Sequence, residues 1–349
     1  MKKNLVLAAT LIFSCFFITS CSQKMETTSF TAMNTFMTVK AYGTGSGTKK
    51  AMQQVQKEIE RLELILSTTI EGSDVYKMNS KTGLDFAESI VQPETIFLIE
   101  QSQKFYEMTG GAFNPALYPV IREWGFTTGD YKVPEAGRIQ ELLGFTDFSE
   151  VKINGDKVTH PYGLQLDFGA IGKGYAGDVA TSILKDAGVK SALLDFGGNI
   201  QVIGSKPDGT SWTVGIKNPW GGEPVAAVKL CDACMITSGG YERFFTGEDG
   251  HKYIHIFDGA TGRPVENTIA SVTIICREGI YGDALSTSLF VLGEEKAVEF
   301  WHTWRSAGDF DFVILTKDRR IIYSAPLKDS ISLLFDFDFV QVADTEPVL

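Results

Sequence analysis

Residues 191–204, SALLDFGGNIQVIG, carry the pattern that decides the fold. Two short apolar runs flank Gly197 and Gly198, and a glycine pair between such runs is typical of a tight strand-to-strand turn. We expect the side chain of Asn199 to hold this turn. Further strand-like runs are WTVGI, PVAAVKL, KYIHIFD and ASVTIIC, and FDFVILT with RRIIYS predicts a closing hairpin.

Helical patterns interrupt these strands. Apolar residues at a helical period predict a helix over 49–66, a second begins at Pro93 and runs to about Met108, and a third follows Lys173 to near Gly188. Two more are expected over 283–291 and near 294–305, whereas residues 110–165 look irregular. The pattern indicates an α+β fold with largely antiparallel sheets and packed helices, in a single large domain over residues 31–349.

The N-terminus predicts export. Lys2 and Lys3 precede an apolar run over residues 5–18, which is too short to span a membrane and is typical of a signal peptide, here residues 1–20. The string ITSC resembles a bacterial lipobox, in which Cys21 is lipidated; the alternative is a simple cleaved signal. Residues 21–30 are then a tether, and the protein is extracytoplasmic and lipid-anchored on the periplasmic face of a membrane.

The composition of the chain limits the classes of molecule that the protein can bind. The chain has 349 residues, 44% of them hydrophobic, and a net charge of −11, which argues against nucleic acid binding. An acidic protein that binds a phosphorylated ligand needs a metal or a few well-placed cations. Cys231 and Cys234 form a lone CxxC pair within a predicted strand, without a second pair for zinc. We expect packed thiols or an incidental bridge.

Residues 281–293, YGDALSTSLFVLG, contain the best metal candidate. Asp283 and Thr287 are one helical turn apart, which places their side chains about 5–6 Å from each other on one face. A carboxylate beside a hydroxyl suits Mg²⁺, which takes few protein oxygens and completes its shell with water and phosphate. The alternative is a polar start to a buried helix.

Two further segments carry candidate chemistry. In LDFGAIGKGYAGD, residues 166–178, three glycines join a predicted strand end to a helix whose N-terminus, with Lys173, favours an anion; the alternative is a plain corner. Asp167 is unusual in a buried strand unless it accepts hydrogen bonds. In KYIHIFD, His255 alternates with aromatic residues on one predicted strand face and is a candidate acid–base group. For Arg243 we expect a carboxylate partner rather than a phosphate.

Taken together, these segments resemble a known family. The stretches AMNTFMTVKAYG, STTIEGSDVYKMN, GGAFNPALYPVIREWGF, LDFGAIGKGYAGD with LLDFGGNI, and SGGYERFF, YIHIFDGATGRP and GDALSTSLFVLG follow one another along the chain. In this combination they look like the FAD:protein FMN transferase family, the ApbE-type lipoproteins. The resemblance implies a T-fold-like domain that uses FAD as donor, attaches FMN to a threonine or serine of an extracytoplasmic electron-transport subunit and releases AMP.

The resemblance also implies roles for individual residues. Mg²⁺ is held by Asp283, Thr287 and the backbone carbonyl of Ala170; FAD is contacted by Asp167, Lys173 and Met33; Ala112, Phe113 and Asn114 complete the flavin pocket; and His255 is the catalytic histidine. The chain departs from the family at Asn114, where relatives commonly have Asp, and at Thr69, where a stacking tyrosine is frequent. Gly259 and Gly282 are milder departures.

Other functions remain open at this point. In a Mg²⁺-dependent FAD pyrophosphatase, water replaces the acceptor hydroxyl at the same site. A lipoprotein that binds FAD without chemistry is a different class. The partners that the sequence predicts are FAD, a flavin-accepting subunit of a membrane electron-transport complex and, through the lipid, a membrane.

Overall fold

A computed structural model describes residues 24–43, 45–83 and 85–343. The predicted signal peptide and the predicted lipidation site Cys21 lie outside the described residues. The tether prediction for 21–30 is wrong in its described part, because Lys24–Ala32 form strand β1, which pairs along its whole length with β2 (Thr35–Gly43). In the described part of the chain, no helix has the length and apolar character needed to cross a membrane.

A nine-stranded sheet is the centre of the fold. In spatial order its strands are β1, β2, β6 (Ala192–Phe196), β7 (Asn199–Ile203), β10 (Cys234–Gly239), β15 (Ile269–Cys276), β16 (Asp311–Thr316), β17 (Arg320–Ser324) and β19 (Phe339–Ala343). All neighbours are antiparallel except β17 and β19. The prediction of largely antiparallel sheets is confirmed.

Smaller sheets surround the main one. They are β3 (Phe86–Ile90) with β5 (Lys157–Pro161) and β4 (Lys152–Asn154); β18 (Ile331–Leu333) with β9 (Ala226–Leu230) and β8 (Trp212–Ile216); and the hairpins of β11 (Phe244–Thr246) with β12 (Lys252–Ile254) and of β13 (Phe257–Asp258) with β14 (Arg263–Pro264). The prediction of one continuous strand through KYIHIFD is wrong. It breaks at His255, because β12 and β13 pair with different partners.

Eight helices complete the described chain: α1 (Ser46–Leu66), α2 (Asp74–Asn79), α3 (Pro93–Met108), α4 (Tyr118–Glu123), α5 (Ala136–Leu143), α6 (Gly172–Asp186), α7 (Gly279–Leu292) and α8 (Glu294–Gly308). Three short 3₁₀ helices lie at Pro115–Leu117, Phe148–Glu150 and Ala325–Asp329. The five predicted helices are confirmed. Residues 110–165 are more regular than expected, since they contain α4, α5, β4 and β5.

The main sheet separates two hydrophobic cores. On one face α1, α6, α7 and α8 pack against alternate sheet residues such as Val39, Ile236 and Ile274. On the other face, intervening residues such as Met235 and Ile275 pack against β8 and β9. Both faces of the central strand β15 are covered, so all eight of its residues are buried. The chain is thus a layered α+β structure.

The glycine turn that opened the sequence argument lies between β6 and β7. Gly197 and Gly198 have φ values of 67° and 93°, which favour glycine. Asp195, not Asn199, holds the turn, since its Oδ1 accepts a hydrogen bond from Gly198 N at 2.9 Å. Within the described residues, Nδ2 of the buried Asn199 has no hydrogen-bond partner. The prediction for Asn199 is therefore wrong.

The cysteines also differ from expectation. Cys231 is exposed in a turn after β9, and Cys234 begins β10, so the CxxC pair does not lie in one strand. Both thiols are free. Cys234 instead lies opposite Cys276 in the main sheet, with 3.1 Å between the two buried sulfur atoms. The prediction of a packed thiol is therefore confirmed for Cys234 and wrong for Cys231.

Candidate functional site

The candidate site is built where the first turns of α6 and α7 meet. Lys173 Nζ lies 3.7 Å from Oδ1 of Asp283, and the backbone N–H of Gly174 donates to Oδ2 of Asp283 at 2.9 Å. Asp283 is only 4% exposed. A buried carboxylate is therefore held by a backbone N–H and faces the charge of a lysine on the neighbouring helix.

Glycines allow this close approach of two helix ends. A Cβ atom on Gly174 would lie 2.2 Å from the carbonyl oxygen of Gly279, closer than nonbonded atoms can approach. The sequence GKGYAG at the start of α6 thus serves close helix–helix packing. The predicted strand at 166–168 is absent, and a loop leads into α6.

The residues proposed to hold a metal present hard oxygen donors. Asp283 and Thr287 lie one turn apart on α7, and Thr287 Oγ1 is 3.1 Å from Ser238 Oγ on β10. Ala170 lies just before α6, and Gly174 is the third residue of that helix, whose first N–H groups have no carbonyl partner within the helix. Asp283 provides the acceptor for Gly174 N. A carboxylate, a hydroxyl and a carbonyl fit the preferences of Mg²⁺.

Few acidic side chains are available to a metal ion in the predicted ligand set. In the described ranges, no group of three or more His, Cys, Asp or Glu side chains could hold a metal ion. Asp283 is the single carboxylate in the predicted ligand set. A divalent ion here would keep most of its charge and would need further oxygens, which the phosphates of a substrate provide.

Asp167 lies in the loop before α6. Its Oδ1 accepts a hydrogen bond from Gly169 N at 2.8 Å. Burial raises the pKa of the Asp167 carboxyl, while this hydrogen bond and the positive charges of Lys173 and Arg243 oppose the rise. The loop is joined to residues 112–115 through Asp167 N, which donates to the carbonyl of Pro115 at 2.9 Å.

The side chains of the 112–114 loop make mostly structural contacts. Phe113 is 2% exposed and packs in the main core against Phe105. Asn114 accepts a hydrogen bond from Ala116 N at 2.9 Å and donates one to the carbonyl of Thr146 at 3.0 Å, so its side chain stabilises the 3₁₀ turn. Ala112 is half-buried. The Asn114 amide thus both donates and accepts hydrogen bonds within the protein, and this explains why an uncharged side chain fits at this position.

Met33 and Thr69 lie near the end of α1. Met33 is half-buried in the β1–β2 turn, and its N–H donates to Glu63 Oε1 at 2.9 Å. Thr69 is exposed just beyond α1, with its Oγ1 3.1 Å from Ser67 Oγ. Both residues lie next to α1, which packs against α6, the helix that carries Lys173.

His255 occupies the break between β12 and β13. Its Nδ1 lies 3.1 Å from the backbone carbonyl of Arg243, and a carbonyl only accepts hydrogen bonds, so Nδ1 carries the proton. Nε2 is then the free acceptor. Burial lowers the pKa of His255 to about 4, and the charges of Arg243 and Lys173 act in the same direction, while the carbonyl hydrogen bond opposes them. His255 is therefore neutral at physiological pH, and its Nε2 is able to accept a proton.

Arg243 is a site residue for which the sequence argument chose the wrong partner. Its guanidinium donates to the carbonyl of Phe126, and in the described part of the chain it forms no ion pair with a carboxylate. Its charge acts on both Asp167 and His255. Ser238, Asp178 and Gln201 were not predicted either, because their partners are distant in sequence.

Known proteins are similar to this chain in sequence and in fold. The model of the ApbE family matches residues 33–309. The FAD:protein FMN transferase of Treponema pallidum (strain Nichols) is 33% identical over 302 residues, or 81% of this chain and 82% of that protein. The one of Klebsiella pneumoniae (strain 342) is 32% identical over 274 residues, or 77% and 83%.

Solved structures of known proteins are also similar to this chain. The ApbE protein of Thermotoga maritima has a TM-score of 0.81 at 28% identity and covers 88% of this chain and 99% of its own. The flavinyl transferase ApbE of Pseudomonas stutzeri has a TM-score of 0.75 at 31% identity and covers 84% and 92%. The α+β architecture is that of these proteins. The chain belongs to the ApbE family.

Proposed function

We propose that this protein transfers the FMN moiety of FAD to a threonine or serine hydroxyl of an extracytoplasmic protein subunit and releases AMP. The observation that carries the proposal is the meeting of α6 and α7, where Lys173 and a helix N-terminus lie beside the buried Asp283. The relatives named above as FAD:protein FMN transferases support the reaction class.

The donor set suits Mg²⁺. Asp283, Thr287 and the carbonyl of Ala170 would hold the ion, and substrate phosphates would complete its shell. When bound, such an ion would supply positive charge that stabilises the pyrophosphate in the transition state, a contribution of several kcal/mol in reactions of this kind.

The chain's own residues bind and activate the reactants. Lys173 and Arg243 attract the pyrophosphate of FAD with their positive charges. The flavin side is contacted by Met33, Thr69, Asp167 and the loop of Ala112, Phe113 and Asn114. The acceptor hydroxyl attacks the phosphorus on the FMN side, an O–P bond forms, and AMP leaves with the electrons of the broken bond. Nε2 of His255 takes the hydroxyl proton.

The proposed location rests on the N-terminal sequence, and the proposed partner rests on the family resemblance. Residues 1–20 would direct export, and lipidation at Cys21 would anchor the protein on the periplasmic face of a bacterial membrane. The acceptor would be the flavin-accepting subunit of a membrane electron-transport complex, which exposes its threonine on the same side.

The test uses the chain from Ser22 onward with FAD, Mg²⁺ and a candidate periplasmic subunit. We expect the intact mass of the acceptor to rise by one FMN, with an equal amount of AMP released. AMP and free FMN without labelling of several acceptors would establish a pyrophosphatase instead. Intact FAD after incubation would leave a binding lipoprotein without chemistry and would refute the proposal.

A further inference from the structure

The helix that carries Asp283 and Thr287 receives its N-terminal cap from another helix. Glu278, at the N-cap of α7, forms no side-chain hydrogen bond with the first turn. Asp178 of α6 takes that role. Its Oδ1 accepts from Gly279 N at 2.6 Å and its Oδ2 accepts from Ile280 N at 2.8 Å. A carboxylate at this position also interacts favourably with the dipole of α7.

Gln201 of β7 joins this cap to the other helix end. Its Nε2 donates to Oδ1 of Asp178 and to the carbonyl of Gly174, at 3.2 Å in each case. Its Oε1 accepts from Thr181 Oγ1 at 3.0 Å. Gln201 is 4% exposed, so this amide is held inside the protein and all its polar atoms have partners.

These bonds reach the candidate metal site. Gly174, whose carbonyl is held by Gln201, donates its N–H to Asp283. The packing leaves little freedom, because a Cβ atom on Gly279 would lie 1.8 Å from Nε2 of Gln201. The network therefore sets how far α7 advances toward α6.

We infer that Asp178, supported by Gln201, is a positioning residue that aligns Asp283 and Thr287 with Lys173 and the Ala170 carbonyl. Asp178 does not itself contact the metal or FAD. This inference rests on the proposed function, since it concerns the same metal site. Groups that orient metal ligands typically change metal affinity by about 10–100-fold when they are removed.

A second buried aspartate provides a matched control. Asp74 of α2, which is 6% exposed, also bonds to the start of another helix, α3. Its Oδ2 accepts from Gln92 N at 2.7 Å and from Thr95 Oγ1 at 2.9 Å. Asp74→Asn removes a buried charge at the start of a helix without touching α6 or α7. A purely structural role for Asp178 predicts that both substitutions behave alike.

The experiment compares the wild-type chain, Asp178→Asn and Asp74→Asn. Mg²⁺ binding is measured by calorimetry, the Mg²⁺ concentration for half-maximal AMP release from FAD is measured separately, and thermal unfolding reports stability. We expect both variants to unfold at lower temperature. Only Asp178→Asn should raise the Mg²⁺ dissociation constant and the half-maximal concentration, by about 10–100-fold.

Equal Mg²⁺ affinity in Asp178→Asn and the wild type, or equal weakening in Asp74→Asn, overturns the inference and leaves the proposed function intact. A wild-type chain that neither binds Mg²⁺ nor needs it for AMP release refutes the metal site itself, and with it the inference. If Asp178→Asn does not fold, Gln201→Leu takes its place, because it keeps the carboxylate cap and removes the amide bridge.

Discussion

At the scale of single residues, the hydrogen bond of His255 to a backbone carbonyl bears most directly on the proposed chemistry. It fixes the protonated nitrogen and leaves Nε2 as the free acceptor, the atom that we propose as the base. Replacing His255 with Ala should therefore leave FAD bound and slow transfer by about 10²–10⁴-fold, the usual contribution of general acid–base catalysis. His251→Ala is the control, because His251 is exposed and pairs with Glu266. Unchanged transfer by His255→Ala would reduce His255 to a structural residue.

The pKa of His255 also predicts how stability depends on pH. In the folded chain it is about 4, lowered by burial, with Arg243 and Lys173 lowering it further and Glu242 opposing. In the unfolded chain it is about 6.5. Between these values the unfolded state binds more protons, so this contribution to stability is present above about pH 6.5 and is lost as pH falls toward 4. Urea unfolding at pH 7 and pH 5 should show a larger loss for the wild type than for His255→Ala; equal losses would contradict the lowered pKa.

Asp283 is the residue on which the metal assignment depends. Asp283→Asn keeps the shape of the side chain but removes the charge, so Mg²⁺ should no longer stimulate AMP release. The rate at saturating FAD should fall by at least about 10²-fold, corresponding to a few kcal/mol of lost transition-state stabilisation. Asp311→Asn is the matched control, a half-buried carboxylate bonded to Ser324 on β17. Normal Mg²⁺ stimulation in Asp283→Asn would contradict the assignment.

At the scale of elements, the fold depends on turns that favour glycine. A Cβ atom on Gly198 would meet open space, and the φ of this residue is 93°, so Gly198→Ala should cost only backbone strain, about 1–2 kcal/mol of unfolding free energy. Gly197→Ala should cost more, because its Cβ would lie 2.1 Å from Thr35 Oγ1 of the neighbouring β1–β2 turn. Urea unfolding measures both values.

The clash can be tested by relieving it. Adding Thr35→Ala to Gly197→Ala removes the Oγ1 atom and should recover part of the stability, whereas adding it to Gly198→Ala should not. Recovery in neither background would show that the two hairpin turns do not press on each other.

At the scale of the whole molecule, the main sheet separates the site from a supporting layer. The site lies on the helical face, while Trp212 of β8, which is 6% exposed, packs on the opposite face near Tyr42. Trp212→Ala should lower the unfolding free energy by about 3–5 kcal/mol. At a temperature where the variant is folded, its Mg²⁺ dependence and transfer rate should equal those of the wild type. A fall in rate without unfolding would mean that the far layer does shape the site.

Local sequence patterns were enough to predict the features that depend on residues close together in the chain. The helix beginning at Pro93, the turn at Gly197 and the one-turn spacing of Asp283 and Thr287 could all be predicted, because helical and strand periods are set within a few residues. The strand predicted through His255 failed, because each half is a strand only through its pairing with another strand, β12 with β11 and β13 with β14, which the residues of KYIHIFD alone do not show. The tether prediction failed for the same reason, since polar β1 is a strand only because β2 pairs with it.

The sequence by itself therefore determined the α+β class, the candidate ligands on α7 and the glycine-rich start of α6. Tertiary structure alone decided that Asp178 caps α7, that Gln201 joins the two helix ends and that Arg243 bonds to a carbonyl rather than to a carboxylate. The physical reason is that these hydrogen bonds join residues far apart in the chain, whose meeting depends on how helices and sheet pack. No local period encodes such a contact.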